Sequence, residues 1–279
     1  FIDAFSGTGV VASKAADIGW KIRINDMMYN AAIMSESRML SKQDVPFDKL
    51  GGYEEAISKL KIASCEGFIW REYSPASLKQ VGTERKYFSE ENARSIDGAV
   101  GLIHQWKKEG IITDKEFVLL LATLISAVND VANIAGTYGC FLSKWTQQSQ
   151  NSINIESLEL RDCPIDYSVS TLDVYEVESH PCDVVYLDPP YTKRQYASYY
   201  HILETLVKGD EPTVEGVAGL RPWKENASVF CYKTKALNAL VSLVNSQKSK
   251  RVLVSYSNEG HIKLDDFERE LKKTGLVKV

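Results

Sequence analysis

Val184-Val185-Tyr186-Leu187-Asp188-Pro189-Pro190-Tyr191 runs four strand-forming residues into an acid, two prolines and an aromatic ring. Prolines cannot continue a central strand, so a buried strand must end where the carboxylate is presented. Two missing backbone N–H groups and a stiffened chain leave the carbonyls of Asp188 and Pro189 as acceptors, with the flat face of Tyr191 beside them. Acceptors next to a stacking platform suit a planar ring with an exocyclic amine, the chemistry of a nucleobase. The competing reading is an aspartate that caps an ordinary strand-to-loop turn.

Working outward, Phe1-Ile2-Asp3-Ala4-Phe5-Ser6-Gly7-Thr8-Gly9-Val10 reads as a strand entering a small-residue turn, followed by a helix over Val11 to Ile18. Lys21 to Asp26 alternates polar and apolar as a short strand does. Strand, glycine turn, helix, strand and acid together form a nucleotide-type pocket: the glycines admit a ligand to the backbone, and Asp26 at a strand end can grip a ribose diol. The third glycine of the dinucleotide fingerprint is absent, which disfavours NAD; a purely structural glycine turn would look the same. A second run follows, with a strand near Val169 to Leu172 ending at Asp173, the strand ending at Asp188, helices over Tyr196 to Val207 and Lys235 to Val244, and a strand over Arg251 to Tyr256. Alternating helices and strands predict one mostly parallel sheet in an α/β fold. Between the two runs helical stretches predominate: Glu54 to Lys61, Ser89 to Lys108 and Asp114 to Ile134. The predicted division is a discontinuous catalytic domain over 1–40 and 150–279, with a mainly helical inserted lobe over 41–149.

A chain of 279 residues accommodates one domain with an insertion, and its net charge of -4 argues against a uniformly basic nucleic-acid coat. Charge is uneven, however: Pro189 to Gly260 holds ten Lys and Arg against six Asp and Glu. No apolar run reaches the ~18 residues of a membrane span, and Phe117 to Ile125 reads as a core helix. No membrane partner and a cytoplasmic location are therefore expected. Cys65, Cys140, Cys163, Cys182 and Cys231 are scattered without Cys-x-x-Cys or metal-ligand spacing, so they read as reduced core thiols, with no metal site. His201, three residues before Glu204, reads as structural.

Phe-x-Asp-x-Phe-x-Gly-x-Gly over Phe1 to Gly9, then Asp26, Asp173 and Asp188-Pro189-Pro190-Tyr191, fall in this order on successive strand ends. The series resembles the Dam-like, alpha-class DNA N6-adenine methyltransferases that use S-adenosylmethionine. The blocks Tyr191 to Tyr196, Tyr200 to Thr205, Gly219-Leu220-Arg221-Pro222, Ser228 to Cys231 and Ser255 to Gly260 are similar to the FokI-type modification methyltransferases of restriction systems. The resemblance covers both ends of the chain, and the middle only through Asn133 to Gly139. It implies a Rossmann-like class I methyltransferase sheet. It also implies native sequence before Phe1, including a glycine-serine-lysine turn, and after Val279.

By that resemblance Asp3 and the backbone of Phe5, Ser6, Gly7, Thr8 and Gly9 line the methionine side of the cofactor. Asp26 accepts from the ribose hydroxyls, and Asp173 contacts the cofactor adenine. In the catalytic motif, Asp188-Pro189-Pro190-Tyr191, the Asp188 carboxylate and the Pro189 carbonyl accept the two N–H bonds of the target amine while Tyr191 stacks on the base. The chemistry agrees: an aromatic amine is a poor nucleophile, and two fixed acceptors favour a more tetrahedral nitrogen and stabilise its developing positive charge. Lys193 and Arg194 are placed to hold flanking phosphates, and Arg85, Lys86 and Lys107 make the lobe a candidate DNA contact. The partners implied are double-stranded DNA and a cognate restriction endonuclease. An RNA adenine or DNA N4-cytosine methyltransferase would use the same amine chemistry, and a catalytically silent DNA-binding subunit is the alternative of a different class.

Overall fold

Short runs of β-branched and aliphatic residues, each ended by a polar group, build the sheet. In the computed structural model, which describes all 279 residues, five parallel strands are β1 (Ile2–Asp3), β2 (Ile22–Asn25), β3 (Tyr167–Ser170), β4 (Val184–Leu187) and β5 (Arg251–Val254). Their order is β3-β2-β1-β4-β5. The chain fills one side of β1 with β2 and β3, then crosses to the other side for β4 and β5. That reversal between β1 and β4 is a topological switch point, where parallel sheets open a crevice at the carboxyl ends of their strands. Register places Asp3 opposite both Ile24 of β2 and Tyr186 of β4, so the residues that follow each strand emerge side by side.

The chain packs as two compact units. The first comprises Phe1–Ser35, Asp166–Ala197 and Lys224–Val279 and holds the sheet. Ile2, Val185 and Leu187 of the sheet pack with Leu240 and Leu243 of helix Lys233–Ser246, with Phe230 and with Phe267 in one buried cluster. The second comprises Glu36–Ile165 and Ser198–Trp223. Its centre is helix Asp114–Val131, buried from Phe117 through Ile125 as predicted and packed on helix Glu90–Lys108. Thr113 and Glu116 close a reciprocal capping box at its start, 3.2 Å from Thr113 Oγ1 to Glu116 N and 2.8 Å from Glu116 Oε2 to Thr113 N. No helix is long and apolar enough to cross a membrane.

The division falls elsewhere than predicted: residues 36–40, 150–165 and 198–223 pack with the mainly helical unit. Hydrogen bonds explain the last of these. Tyr73 Oη donates to Gly219 O at 2.9 Å, and Tyr138 N donates to Tyr199 O at 2.8 Å. The second bond diverts a helical carbonyl, so the predicted helix over Tyr196 to Val207 is two pieces, Tyr196–Tyr199 and His201–Lys208. His201 is structural: it is buried, its Nε2 lies 3.0 Å from Tyr138 O, and burial pushes its pKa down to about 4. Helix Asp114–Val131 stops before the predicted Ile134 because Asn133 turns to other partners, its N to Tyr87 O and its Nδ2 to Lys86 O and Leu142 O. Four of the five cysteines, all but Cys231, are exposed, which corrects their reading as core thiols.

One side chain ties the strand ends together. Asn25, only 2 % exposed, donates from Nδ2 to Ala4 O (3.3 Å) and Leu172 O (3.1 Å), and its Oδ1 accepts from Leu172 N (3.0 Å) and Ser170 Oγ (2.8 Å). It substitutes a side-chain amide for the ladder past Ser170, which is why β3 ends earlier than predicted. Asn25→Ala leaves those backbone groups without partners and is expected to cost about 2–4 kcal/mol in urea unfolding. A loss below ~1 kcal/mol would show the knot to be dispensable.

Candidate active site

Asp3, the turn from Phe5 to Gly9, Asp26, Asp173 and Asp188 to Tyr191 all lie at or follow the carboxyl ends of sheet strands. Asp3 ends β1 and is 1 % exposed. Burial raises its pKa to about 7, the carboxylates of Asp26 and Asp188 push the same way, and the nearby backbone N–H groups of Ala12, in the first turn of helix Val10–Asp17, and of Phe5 pull it down; its Oδ1 has no hydrogen-bond partner. Asp26 and Asp188, on the strand ends flanking β1, therefore both sit within electrostatic reach of Asp3.

The glycine turn follows directly. Ser6 N donates to Asn25 O at 3.0 Å, and Gly7 N donates to Asp26 Oδ2 at 2.9 Å. Gly9, at φ 77, has no room for a side chain, since a Cβ there would lie 2.5 Å from Ser35 Oγ and 2.6 Å from Ser35 Cα. Helix Tyr29–Ser37 thus closes on the turn. Ser6 Oγ and Ser35 Oγ, like Asp3 Oδ1, are buried without hydrogen-bond partners. Phe5 meets Phe230 edge-on at 5.5 Å, and Tyr175 stacks on Phe230 at 6.4 Å. Thr8 lies exposed on the same turn.

Asp26 and Asp173 also cap local backbone. Asp26 accepts from Gly7 N at its Oδ2 and, at 2.9 Å, from Met28 N at its Oδ1. Asp173 is exposed and accepts from Tyr175 N at 3.0 Å.

At the end of β4, Pro189 and Pro190 are buried and Asp188 is presented outward. Packing around the Asp188 carboxyl raises its pKa, against the opposing pull of the nearby Ser255 hydroxyl. The carbonyls of Asp188 and Pro189 accept no hydrogen bond from the protein. Tyr191 is braced from behind: its ring meets Tyr256 edge-on at 6.2 Å, and its carbonyl accepts from His261 N at 2.9 Å and Tyr256 Oη at 3.4 Å. Lys193 and Arg194 are exposed and make no ion pair. Gln195 anchors them, exchanging bonds with Ser228 at 3.1 and 2.8 Å.

In the other unit the predicted cations differ in kind. Arg85 is 3 % exposed, with its guanidinium held by Glu72 Oε2 (2.8 Å), Val217 O (3.1 Å) and Gly216 O (3.1 Å). It fastens a loop to helix Phe68–Tyr73, so its reading as a DNA contact is corrected. Lys86 is half-buried and paired with Glu84 at 3.0 Å, and Lys107 is half-buried and paired with Asp114. Asn25, Ser35, Ser255 and Tyr256 carry the site without having been singled out from the sequence. The block Ser255 to Gly260 was the available signal for the last two.

Because Asp3 keeps a proton in the folded state up to about pH 7, its ionisation opposes folding. Its stabilising contribution is full below the ordinary carboxylate pKa and is lost as pH rises towards 7, by about 4 kcal/mol in total. Asp3→Asn removes this dependence. Its stability relative to the parent protein is expected to climb between pH 4.5 and 7.5 in parallel urea titrations. A pH-independent difference would mean that Asp3 is ionised throughout.

Type II methyltransferase M.FokI of Planomicrobium okeanokoites is 35% identical over 283 residues, covering 99% of this chain and 43% of the relative. Modification methylase StsI of Streptococcus sanguinis is 31% identical, covering 98% and 42%. Type II methyltransferase M.NlaIII of Neisseria lactamica is 29% identical, covering 99% and 80%. The chain thus spans less than half the length of the first two relatives. No solved structure matches it significantly. The sequence pattern of D12 class N6 adenine-specific DNA methyltransferases matches residues 1–269, and the chain belongs to that family.

Proposed function

We propose that this chain transfers a methyl group from S-adenosylmethionine to the N6 amine of an adenine flipped out of a specific double-stranded DNA sequence, as the modification activity of a restriction-modification system. One observation carries the reading: the Asp188 carboxylate and the Asp188 and Pro189 carbonyls stand as acceptors beside a braced Tyr191.

The cofactor's donor set fits. When bound, S-adenosylmethionine supplies an electrophilic methyl on a sulfonium and a second positive charge on its amino group. Asp3, Asp26 and Asp188 form a negatively biased edge, and Asp3 Oδ1 and Ser6 Oγ are buried groups still lacking partners. In this reading Asp3 and the turn from Phe5 to Gly9 hold the methionine part, Asp26 at the end of β2 accepts from the ribose hydroxyls, and exposed Asp173 reaches the cofactor adenine.

Asp188 and Pro189 then accept the N–H bonds of the target amine, drawing the nitrogen lone pair out of conjugation and stabilising the charge that grows on it. Pro190 keeps the loop rigid, and direct transfer needs no covalent enzyme intermediate. A base in duplex DNA must leave the stack to reach this site, at a cost of a few kcal/mol that stacking on Tyr191 partly offsets. Lys193 and Arg194, free of acidic partners, hold flanking phosphates. Lys86 and Lys107 exchange weak surface ion pairs for phosphates. A cytoplasmic location and a cognate restriction endonuclease belong to the same reading. The names of the relatives, type II methyltransferases and modification methylases, support it.

The test is transfer of labelled methyl from S-adenosylmethionine into duplex DNA and into RNA, followed by digestion to nucleosides. N6-methyladenosine as its deoxynucleoside is expected, and Asp188→Ala should lower turnover ~100-fold or more while preserving cofactor binding. Label in N4-methylcytosine or in RNA would overturn the substrate assignment. Absence of any label would leave a silent DNA-binding subunit, and near-normal turnover of the variant would overturn the mechanism.

A further inference from the structure

The positive excess between Pro189 and Gly260 is not spread evenly. Lys224, Lys233 and Lys235 are exposed and enter no ion pair, as is true of Lys193 and Arg194, and Glu225 is the only acid between Lys224 and Lys235. Hydrogen bonds within one compact unit join the segments that carry these five cations. Gln195 exchanges bonds with Ser228 at 3.1 and 2.8 Å, and Cys231 Sγ donates to Arg194 O at 3.2 Å. The turns Lys224–Asn226 and Val229–Cys231 and the helix Lys233–Ser246 therefore continue the loop that bears Lys193 and Arg194. His261 ties them to the Tyr191 loop from the other side: its N donates to Tyr191 O at 2.9 Å, and its Nε2 lies 3.2 Å from Cys231 O.

Two of the lysines occupy positions that a helix disfavours. Lys233 and Lys235 stand in the first turn of Lys233–Ser246, at the positive end of its dipole, with no acid in that turn and no side-chain cap at Tyr232. Lys235 Nζ lies 5.3 Å over the ring of Tyr232, which is 45 % exposed. Cations kept clear of acids, at a cost in local stability, mark a surface made for an anion. We propose that Lys224, Lys233 and Lys235 join Lys193 and Arg194 in one surface that contacts the phosphates of the DNA duplex beside the target base. The inference rests on the proposed reaction, which puts that base against Tyr191. Such contacts set the duplex in register and leave base reading to other residues.

The test is fluorescence anisotropy of a labelled mixed-sequence duplex with the full chain over a range of salt concentrations. Lys224→Gln, Lys233→Gln and Lys235→Gln combined should weaken binding ~10-fold or more and lower the slope of log Kd against log salt by about 2–3, with S-adenosylhomocysteine affinity within ~2-fold of the parent. Lys248→Gln with Lys250→Gln is the control for net charge. Both lysines are exposed and precede β5, at the opposite, amino edge of the sheet, so the slope should stay as in the parent. Lys233→Glu should weaken binding further than Lys233→Gln yet raise the melting midpoint of the free protein by about 1–3 °C, because it puts an acid at the helix start. An unchanged slope in the triple variant, an equal loss per lysine in the control, or a midpoint that fails to rise in Lys233→Glu overturns the proposal. A protein that methylates DNA while the triple variant binds like the parent keeps the reaction and loses the surface. One whose binding meets these expectations without methyl transfer keeps the surface and loses the reaction.

Discussion

Parallel pairing of β1 with β4 across the switch point is the constraint on which the site depends. It brings together two strands from distant parts of the sequence, each ending in an acid, and the register puts Asp3 opposite Tyr186, two residues before Asp188. With Asp26 following β2, like charges gather where the sheet opens. Such a cluster opposes its own ionisation, and the protein accommodates it in different ways. Asp26 is clasped by two backbone N–H groups, Asp188 is presented outward, and Asp3, buried deepest, keeps its proton to about pH 7.

Neutral polar groups hold the acids in place. Asn25 spans three strand ends with one amide, which a backbone ladder alone cannot do because the strands diverge past their last paired residues. The turn from Ser6 to Gly9 is pinned from below by Asn25 O and Asp26 and from the side by Ser35. On the other side of the switch point, Tyr256 Oη and His261 N both donate to the Tyr191 carbonyl and fix the loop there. Rigidity of this kind is what an acceptor array needs, since misplacement of about 1 Å costs orders of magnitude in rate.

How much of this the sequence discloses follows the range of the interactions involved. Asp3, Asp26, Asp173 and Asp188 were legible because a strand-end acid is a local pattern, visible where a β-branched run meets a breaker. The parallel sheet was legible from the alternation of helices and strands. Asn25 was not, because its partners at Ala4 and Leu172 are set by register between strands far apart in sequence. Arg85 was misread since a basic cluster looks alike whether it faces solvent or carbonyls, and only the loop from Gly216 to Gly219 reveals its burial. The segment 198–223 reads as a continuation of the catalytic run, but its carbonyls serve Tyr73, Tyr87 and Arg85 of the other unit.

The central claim is that the carboxyl edge of the sheet is a negatively biased site made for a cationic nucleoside cofactor. Its direct test is calorimetry of S-adenosylmethionine binding at pH 7 in buffers of differing ionisation enthalpy, for the parent protein and for Asp3→Asn. A positive charge arriving beside Asp3 should displace its proton, so the parent should release about half a proton more than the variant. Equal proton release by the two proteins would contradict the claim.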